Sequence, residues 1–457
     1  MGTPRPLAPA WAGRSRLRWA AERCRPSPSA LTRIRGWRAD ECRRARRKDV
    51  RVLEVRAATE ADLESAAECI GEAFAYGDDA QYDAIREEVL HTAHDDPFAS
   101  LEDLRVGLID GVVVSTVAVM PRPIYVDGSL LSMGGLAGVC TRASHRHHGY
   151  NTAVLRDTIH YIEGRGHDIS LLYTGIHGYY ERLGWRSFEH GVAHDIIVPN
   201  EVAAPPFRGS VRPMRADDDL AAVREIYDVT NRGDAGPVAR NAAYWTYHSD
   251  RLASYHVAVV DGRVVAYLHD NDSKRIEEIG YLPGAEDAAG ALVADVVRRA
   301  PSAVERVYLH SSEELLPGIE ELGCGVEQLG CDPDGQRGPT MYCIVQPAAL
   351  LDKLLPRMNE RLAASPGAGW TGVVRLQSGV GNVDLRCANG SVTRVPDAGP
   401  PAITLHGTHA QTIELVFGQI DAASLVTRPD DLTEDAAAVL EALCPRLTYR
   451  YYGPDTF

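Results

Sequence analysis

The stretch "GVCTRASHRHHGYNTAVL", residues 138–155, decides how the first half of the chain folds. A β-rich run ends at Thr141, a polar turn follows, and helical apolar spacing begins near Asn151. Backbone amides in the first turn of a helix have no partner within the helix and carry partial positive charge. The pattern Arg146-x-x-Gly149 between a strand and a helix therefore favours a cradle for a phosphate or diphosphate, because the glycine permits close approach.

The histidines of this turn raise a second interpretation, a metal site. His145, His147 and His148 have no cysteine or acidic residue nearby at the spacing that metal sites use. The sequence therefore predicts no metal. A solvated turn that binds nothing stays open as an alternative, since polar turns are common on protein surfaces.

The segments around the turn predict a first unit at residues 51–200. It opens with a strand and a helix, and Thr59 and Asp62 have the spacing of a capping box at the start of that helix. Asp-Gly pairs at 110–111 and 127–128 are typical of hairpin turns. We expect the last strand of this unit to end near residue 198.

Three further segments of the first unit bear on its chemistry. The run at 129–141 predicts a strand whose glycines let another group approach the backbone closely. The segment "DISLLYTG", 168–175, predicts a buried strand, and "GYYERLGW", 178–185, predicts a short helix that runs into a turn. The turn and these segments together form one candidate site.

The chain then repeats part of this plan. Residues 211–229 echo the opening strand and helix, and an Asp-Gly pair at 261–262 echoes the first hairpin, but nothing corresponds to "RHHGYN". The sequence predicts a second unit, 211–345, that is a copy without the loop chemistry; chance similarity of two α+β units stays open. A third unit, 347–457, is predicted from a meander with an Asn-Gly turn at 389–390.

Charge and cysteine content exclude several classes of protein. Residues 1–50 carry a net charge of +10, and because the whole chain carries −15, residues 51–457 carry −25. An acidic body disfavours nucleic acid and favours cationic partners. The nine cysteines of the 457-residue chain form no C-x-x-C pair, which indicates free thiols. No apolar run approaches a membrane span of roughly 20 residues, and we expect 1–50 to be a disordered extension.

The strand, the R-x-x-G-x loop and the helix resemble motif A of the GNAT acetyltransferases, whose loop binds the pyrophosphate of acetyl-CoA. The segment "GYYERLGW" is similar to the closing segment of GNAT domains, where a tyrosine protonates the thiolate. The plan of the whole chain resembles the Eis (enhanced intracellular survival) family. That resemblance implies an α+β protein with tandem GNAT domains, each a mixed central sheet flanked by helices, followed by an α+β domain like sterol carrier proteins.

The resemblance also implies roles for individual residues. Tyr180 matches the catalytic acid, and Phe457 matches a terminal residue whose free carboxylate is the base; a terminal carboxyl titrates near pKa ~3.5 and is ionised at neutral pH. A buried aromatic for Tyr180 and a frayed terminus for Phe457 remain the alternatives, and Tyr179 is expected to be structural. The implied cofactor-binding residues are Val139, Cys140, Thr141, His147, His148, Gly149, Tyr150, Asn151, Thr152, Gly175 and Ile176.

The function implied is direct transfer of the acetyl group of acetyl-CoA to a primary amine of a cationic substrate, aminoglycoside-like or a lysine side chain. Asp78, Asp79 and Glu87 are candidate acids for the amine pocket. The expected setting is cytoplasmic, without nucleic acid or membrane partners, and the resemblance implies a homo-hexamer. Two alternatives remain: a non-catalytic module that binds acyl-CoA or lipid, and an enzyme that uses a longer acyl-CoA.

Overall fold

A computed structural model describes residues 52–189, 193–310, 313–329, 340–379, 381–396, 398–427 and 432–457. The basic segment 1–50, predicted to be a disordered extension, lies outside the described residues.

The described residues form eleven α-helices and nineteen strands. The helices are α1 Leu63–Phe74, α2 Asp79–Asp95, α3 Tyr150–Gly164, α4 His177–Glu181, α5 Ala216–Asn231, α6 Ala242–Tyr247, α7 Glu286–Arg299, α8 Leu316–Glu321, α9 Pro347–Ala364, α10 His409–Val416 and α11 Glu434–Leu443. The strands are β1 Glu54–Ala57, β2 Leu104–Ile109, β3 Val112–Val126, β4 Ser129–Thr141, β5 Ile169–Tyr173, β6 Arg186–Ser187, β7 Ala193–Ile197, β8 Ser210–Pro213, β9 Ala235–Val238, β10 Tyr255–Val260, β11 Arg263–Asn271, β12 Arg275–Tyr281, β13 Arg306–His310, β14 Gly325–Leu329, β15 Thr340–Ile344, β16 Gly372–Ser378, β17 Gly381–Ala388, β18 Ser391–Val395 and β19 Ile403–Gly407.

Local sequence signals explain where α1 begins and how β3 turns into β4. Thr59 and Asp62 form the predicted capping box in the short turn that precedes α1. Asp127 and Gly128, between β3 and β4, both have positive φ, 48° and 77°. Two consecutive residues of this kind make the primed turn that suits a two-residue hairpin, so the predicted hairpin is confirmed.

The first sheet has the order β1-β2-β3-β4-β5-β15-β6, and β9 pairs with β3. Its neighbouring strands are antiparallel except for β4 and β5, which run parallel. Buried residues of α1 and α2 pack with β2 in one core cluster, and those of α3 and α4 pack with β5 in another. Helices thus cover this sheet in two separate apolar clusters.

The second sheet exchanges a strand with the first. Its order is β14-β7-β13-β12-β11-β10-β8, so β7 lies between β13 and β14. β15 in turn pairs with β5 and β6 of the first sheet. The sequence division puts 193–197 in the first unit and 340–344 in the second, whereas hydrogen bonding puts each strand in the opposite sheet. The two sheets are therefore tied together by exchanged strands.

The third sheet, β18-β17-β16-β19, packs with α9, α10 and α11. Its core is continuous with the first sheet, because Ile124, Met133 and Ile169 belong to the same buried cluster as Leu350 and Leu405. The fold is mixed α+β, with several sheets flanked by helices. Within the described ranges, no helix is both long and apolar enough to cross a bilayer.

Candidate active site

The turn after β4 is shaped by two residues of positive φ. His147 has φ 65° and Gly149 has φ 79°, and α3 begins directly after Gly149. A Cβ added at Gly149 would meet no atom within 4 Å, so the space above it is open. The left-handed conformation explains the glycine, because a side chain at this φ costs roughly 1–2 kcal/mol.

The start of α3 offers unpaired amides. Gly149, Tyr150, Asn151 and Thr152 donate no backbone hydrogen bond to any described residue, and the first helical bond recorded runs from Ala153 to the carbonyl of Gly149, 3.1 Å. Four such groups beside an open glycine, at the positive end of a 15-residue helix, can bind an anion.

The histidines of the turn are engaged locally. The His145 Nδ1 lies 2.9 Å from the Ser144 hydroxyl, and the His148 Nδ1 lies 2.8 Å from the Arg146 carbonyl. The His148 ring stacks on Tyr150, with ring centroids 5.4 Å apart. Among the described residues, no group of three His, Cys, Asp or Glu side chains is arranged to hold a metal ion.

A cleft opens where β4 and β5 separate. The two strands pair only from Met133 and Ile169 to Gly135 and Leu171. Beyond this point β4 continues to Thr141 with β3 on one side alone. Its backbone groups on the β5 side therefore have no strand partner among the described residues.

A bulge interrupts β4 within the cleft. Thr116 of β3 pairs with Cys140 and Ala118 pairs with Ala137, so Gly138 and Val139 together face one residue of β3. Gly138 has φ 55°. A bulge redirects the strand, and here it turns the segment 139–141 towards the start of α3.

Asn151 ties the start of α3 to the end of β4. Its Nδ2 donates to the Cys140 carbonyl at 3.1 Å and to the Ser115 hydroxyl at 3.3 Å. Tyr179 of α4 donates its hydroxyl hydrogen to the Asn151 Oδ1 at 3.1 Å. Tyr179 thus supports the turn through a side-chain network, in keeping with the structural role expected for it.

Tyr180, the next residue of α4, is buried in the apolar cluster with Leu136 and Leu172. It is 6% exposed, and its ring meets the Tyr179 ring edge-on at 5.1 Å. Burial raises the pKa of Tyr180 above its ordinary value, so it keeps its proton at neutral pH. A tyrosine that keeps its proton and packs with residues of both β4 and β5 has the protonation state that a proton donor needs.

Gly175 and Ile176 follow β5 at the open end of the cleft. Both are exposed, and the Ile176 amide donates to the Thr174 hydroxyl at 3.0 Å. The candidate acids Asp78, Asp79 and Glu87 are exposed as well. The Asp78 carboxylate caps α2 by accepting from two backbone amides of the first helical turn.

The ring of Phe457 packs on β4 beside the cleft. A Cβ added at Gly135 would be 1.9 Å from the Phe457 ring, so the ring rests directly on the strand backbone at the point where β4 and β5 separate. The ring also lies 5.8 Å from the ring of Tyr173. The close approach predicted for the glycines of β4 is confirmed, and the approaching group comes from the end of the chain.

Sequence reasoning did not select the residues that hold this terminal segment. Arg240 of the second unit binds Asp455 through two hydrogen bonds. The only signal in the sequence was the position of Asp455, two residues before Phe457 in "YYGPDTF". A sequence gives no means of pairing it with an arginine 215 residues away.

The family model of the acetyltransferase (GNAT) domain matches residues 54–188. These residues include β1 to β6 of the first sheet and the whole turn before α3. No curated protein sequence matches the chain significantly.

Solved structures resemble the whole fold at low sequence identity. A probable N-acyltransferase from Enterococcus faecalis has a TM-score of 0.63 and 16% identity over 87% of this chain and 97% of its own. A GCN5-related N-acetyltransferase from Anabaena variabilis has a TM-score of 0.58 and 17% identity over 88% and 98%. Eis1 from Mycobacterium abscessus has a TM-score of 0.55 and 16% identity over 89% and 100%.

These similarities extend over all three sheets and concern the fold alone. The family match goes further for residues 54–188, which form a GNAT acetyltransferase domain. The chain is an acyltransferase, and its domain type takes the acyl group from acetyl-CoA.

Proposed function

We propose that the chain is an N-acetyltransferase of Eis-like organisation that moves the acetyl group of acetyl-CoA directly to a primary amine of a cationic substrate. The proposed organisation is an acetyl-CoA-binding GNAT domain (51–200), a degenerate GNAT domain (211–345) and a domain like sterol carrier proteins (347–457). The observation that carries it is the contact of the Phe457 ring with Gly135. A segment that follows the third sheet thereby ends on β4 of the first unit, beside the cleft.

The start of α7 in the second unit supports the degenerate assignment. Its first turn carries Glu286 and Asp287, and Glu286 accepts a hydrogen bond from the Gly284 amide at 3.3 Å. Carboxylates at this end of a helix compete with a bound anion for the same positive charge. The start of α7 therefore offers no cradle comparable with the one before α3.

In the first unit we assign the diphosphate of acetyl-CoA to the loop and first turn at 147–152. The pantetheine arm would run along 139–141 of β4, and Gly175 and Ile176 would flank it. The unpaired amides and the bulge of β4 support this path. Asn151 contributes its amide alone, since its side chain is already engaged with β4.

The proposed chemistry is a direct transfer. Where Phe457 ends the mature chain, its carboxylate accepts a proton from the ammonium group of the substrate, directly or through one water. The neutral nitrogen attacks the thioester carbonyl, a C–N bond forms, and the C–S bond breaks. Tyr180 protonates the departing thiolate and regains a proton from the newly acylated nitrogen, which leaves the neutral amide; positioning of the two reactants supplies much of the rate.

The proposal of a cationic substrate rests on the net charge of the chain. The net −25 of residues 51–457 attracts polyamines, aminoglycosides and lysine-rich peptides. Asp78, Asp79 and Glu87 would contribute to that field from the exposed surface. The proposal includes a homo-hexamer and a cytoplasmic setting without nucleic acid.

The alternative, a module that binds lipid or acyl-CoA without catalysis, finds less support in the third sheet. An apolar cavity between α9, α10 and α11 is lined by Leu351, Met358 and Leu415, but its volume is about 30 Å³. That space suits a water-sized group and not an alkyl chain. A lipid would have to displace the buried side chains of this core.

Release of the CoA thiol tests the function. We expect purified protein, acetyl-CoA and spermidine, an aminoglycoside or a lysine peptide to give thiol release that requires the amine. Reactions without amine correct for the free thiols of the protein, which include Cys343 and Cys444. Binding of CoA without thiol release for any amine would establish the non-catalytic binding module. Faster thiol release from a longer acyl-CoA than from acetyl-CoA would establish an enzyme for longer acyl groups.

Gly149→Val tests the cofactor loop. We expect affinity for CoA to fall about tenfold or more by calorimetry, because the new side chain occupies the open space where the diphosphate would approach. Gly262→Val is the matched control: its φ is 77° against 79°, and it too has no atom within 4 Å of an added Cβ. Equal affinity in the two variants would remove the diphosphate from this loop.

A further inference from the structure

The last ten residues, 448–457, form a C-terminal tail that is held by the second unit. The Arg450 amide donates to the Ala235 carbonyl at 2.9 Å, and the Ala235 amide donates to the Thr448 carbonyl at 2.9 Å. The Tyr452 hydroxyl donates to Asn231 at 2.8 Å. The tail therefore runs along β9, a strand of the second unit that pairs with β3 of the first sheet.

The strongest attachment is a buried cluster around Arg240. Its Nε and Nη2 donate to the two carboxylate oxygens of Asp455 at 2.9 and 2.8 Å. Its Nη1 and Nη2 donate to the two oxygens of Glu278 at 3.0 and 2.6 Å. Asp455 and Glu278 are 1% and 0% exposed. A planar guanidinium that binds two carboxylates in this way fixes their positions and their orientations.

Aromatic groups enclose this cluster. The Arg240 guanidinium lies 4.2 Å from the centre of the Tyr227 ring and 4.8 Å from that of Trp245. The Tyr267 hydroxyl donates to Glu278 at 2.8 Å. Arg240 is enclosed by two aromatic rings and two carboxylates and has little freedom to follow the tail if the tail moves.

Phe457 is the second residue after this anchor. Two extended residues reach roughly 7 Å, so fixing Asp455 restricts the terminal residue to a small volume. Two hydrogen bonds also stabilise the turn that contains Asp455. The Thr456 hydroxyl donates to the Gly453 carbonyl at 2.7 Å, and the Arg251 side chain donates to the Pro454 carbonyl.

We propose that Arg240 is a positioning residue, which acts through Asp455 to aim the Phe457 carboxylate at the substrate amine. This inference rests on the proposed function of Phe457 as the base. It gives the second unit a role in the reaction of the first.

Asp455→Asn tests the positioning of the Phe457 carboxylate separately from the stability of the fold. The cluster contains one cation and two carboxylates, so the change leaves a balanced pair of Arg240 and Glu278 and no unpaired charge. The asparagine NH2 faces a nitrogen donor, so at least one of the two hydrogen bonds to Arg240 is lost. We expect kcat to fall at least tenfold, with the Kd for CoA within twofold of the parent protein.

Asp384→Asn is the matched control. Asp384 accepts two hydrogen bonds from Arg375 in the third sheet, at 2.6 and 2.7 Å. It undergoes the same chemical change in a pair with no contact to the tail. We expect both variants to lower the melting temperature by similar amounts, with kcat falling only for Asp455→Asn, and Asp455→Glu to recover part of the lost kcat.

A protein with one glycine added after Phe457 distinguishes the possible failures. If this protein is fully active, the base assignment is wrong whatever Asp455→Asn does. If it is inactive while Asp455→Asn keeps the parent kcat, the positioning role of Arg240 is overturned. If the base assignment and the positioning role are both correct, Asp455→Asn should cause no further loss of kcat in the extended protein, because the two changes act on one group.

Discussion

Tyr180→Phe is expected to lower kcat for acetyl transfer by about 10²–10⁴-fold, the range for loss of a general acid. The thiolate of CoA leaves at the moment when the C–S bond breaks, and the Tyr180 hydroxyl is the proton donor that we assign to it. Burial raises the pKa of Tyr180 above about 10, so the acid form persists from pH 6 to 10. Loss of activity through deprotonation of Tyr180 should begin only above that window.

The neighbouring Tyr179→Phe is the matched control, since it removes the same atom one residue away. Tyr179 donates to Asn151 at the start of α3, so its loss should weaken CoA binding more than it lowers kcat. Steady-state kinetics and calorimetry with CoA separate the two effects. If Tyr180→Phe lowers CoA affinity and kcat in equal measure, Tyr180 is a packing residue and another group is the acid.

Short-range signals in the sequence were sufficient for the elements around the site. The capping box of Thr59 and Asp62, the Asp-Gly hairpin at 127–128 and the helix after Gly149 each depend on residues within a few positions of one another. The glycines of β4 also indicated that a group approaches the strand. Local backbone chemistry fixes such features, so they can be derived without knowing the rest of the fold.

The long-range pairings could not be derived in the same way. β7 and β15 are strands of only five residues, and hydrogen bonding in three dimensions is what assigns each of them to a sheet. The group that approaches Gly135 comes from a residue more than 300 positions later. The anchor of Asp455 on Arg240 likewise depends on tertiary packing, because no spacing rule connects an arginine to a distant aspartate.

One glycine added after Phe457 is expected to lower kcat by about 10²-fold or more where Phe457 ends the mature chain. The extension converts the Phe457 carboxylate into a neutral amide, which accepts no proton at neutral pH, and moves the charge by about 3.8 Å. Phe457→Leu keeps the carboxylate and reduces the ring, so it should keep most of the activity. Intact mass establishes each terminus before kinetics are measured.

Gly135→Ala displaces Phe457 without altering the end of the chain. The added Cβ would lie 1.9 Å from the Phe457 ring, so the ring must leave its place on β4. We expect kcat to fall at least tenfold, and Phe457→Leu to restore part of it by making room. Gly134→Ala is the control, because neighbouring strand residues face opposite sides and its Cβ would meet His167 and Val119 at 3.2 Å. Full activity in both Gly135→Ala and the extended protein would show that the base is a group other than the Phe457 carboxylate.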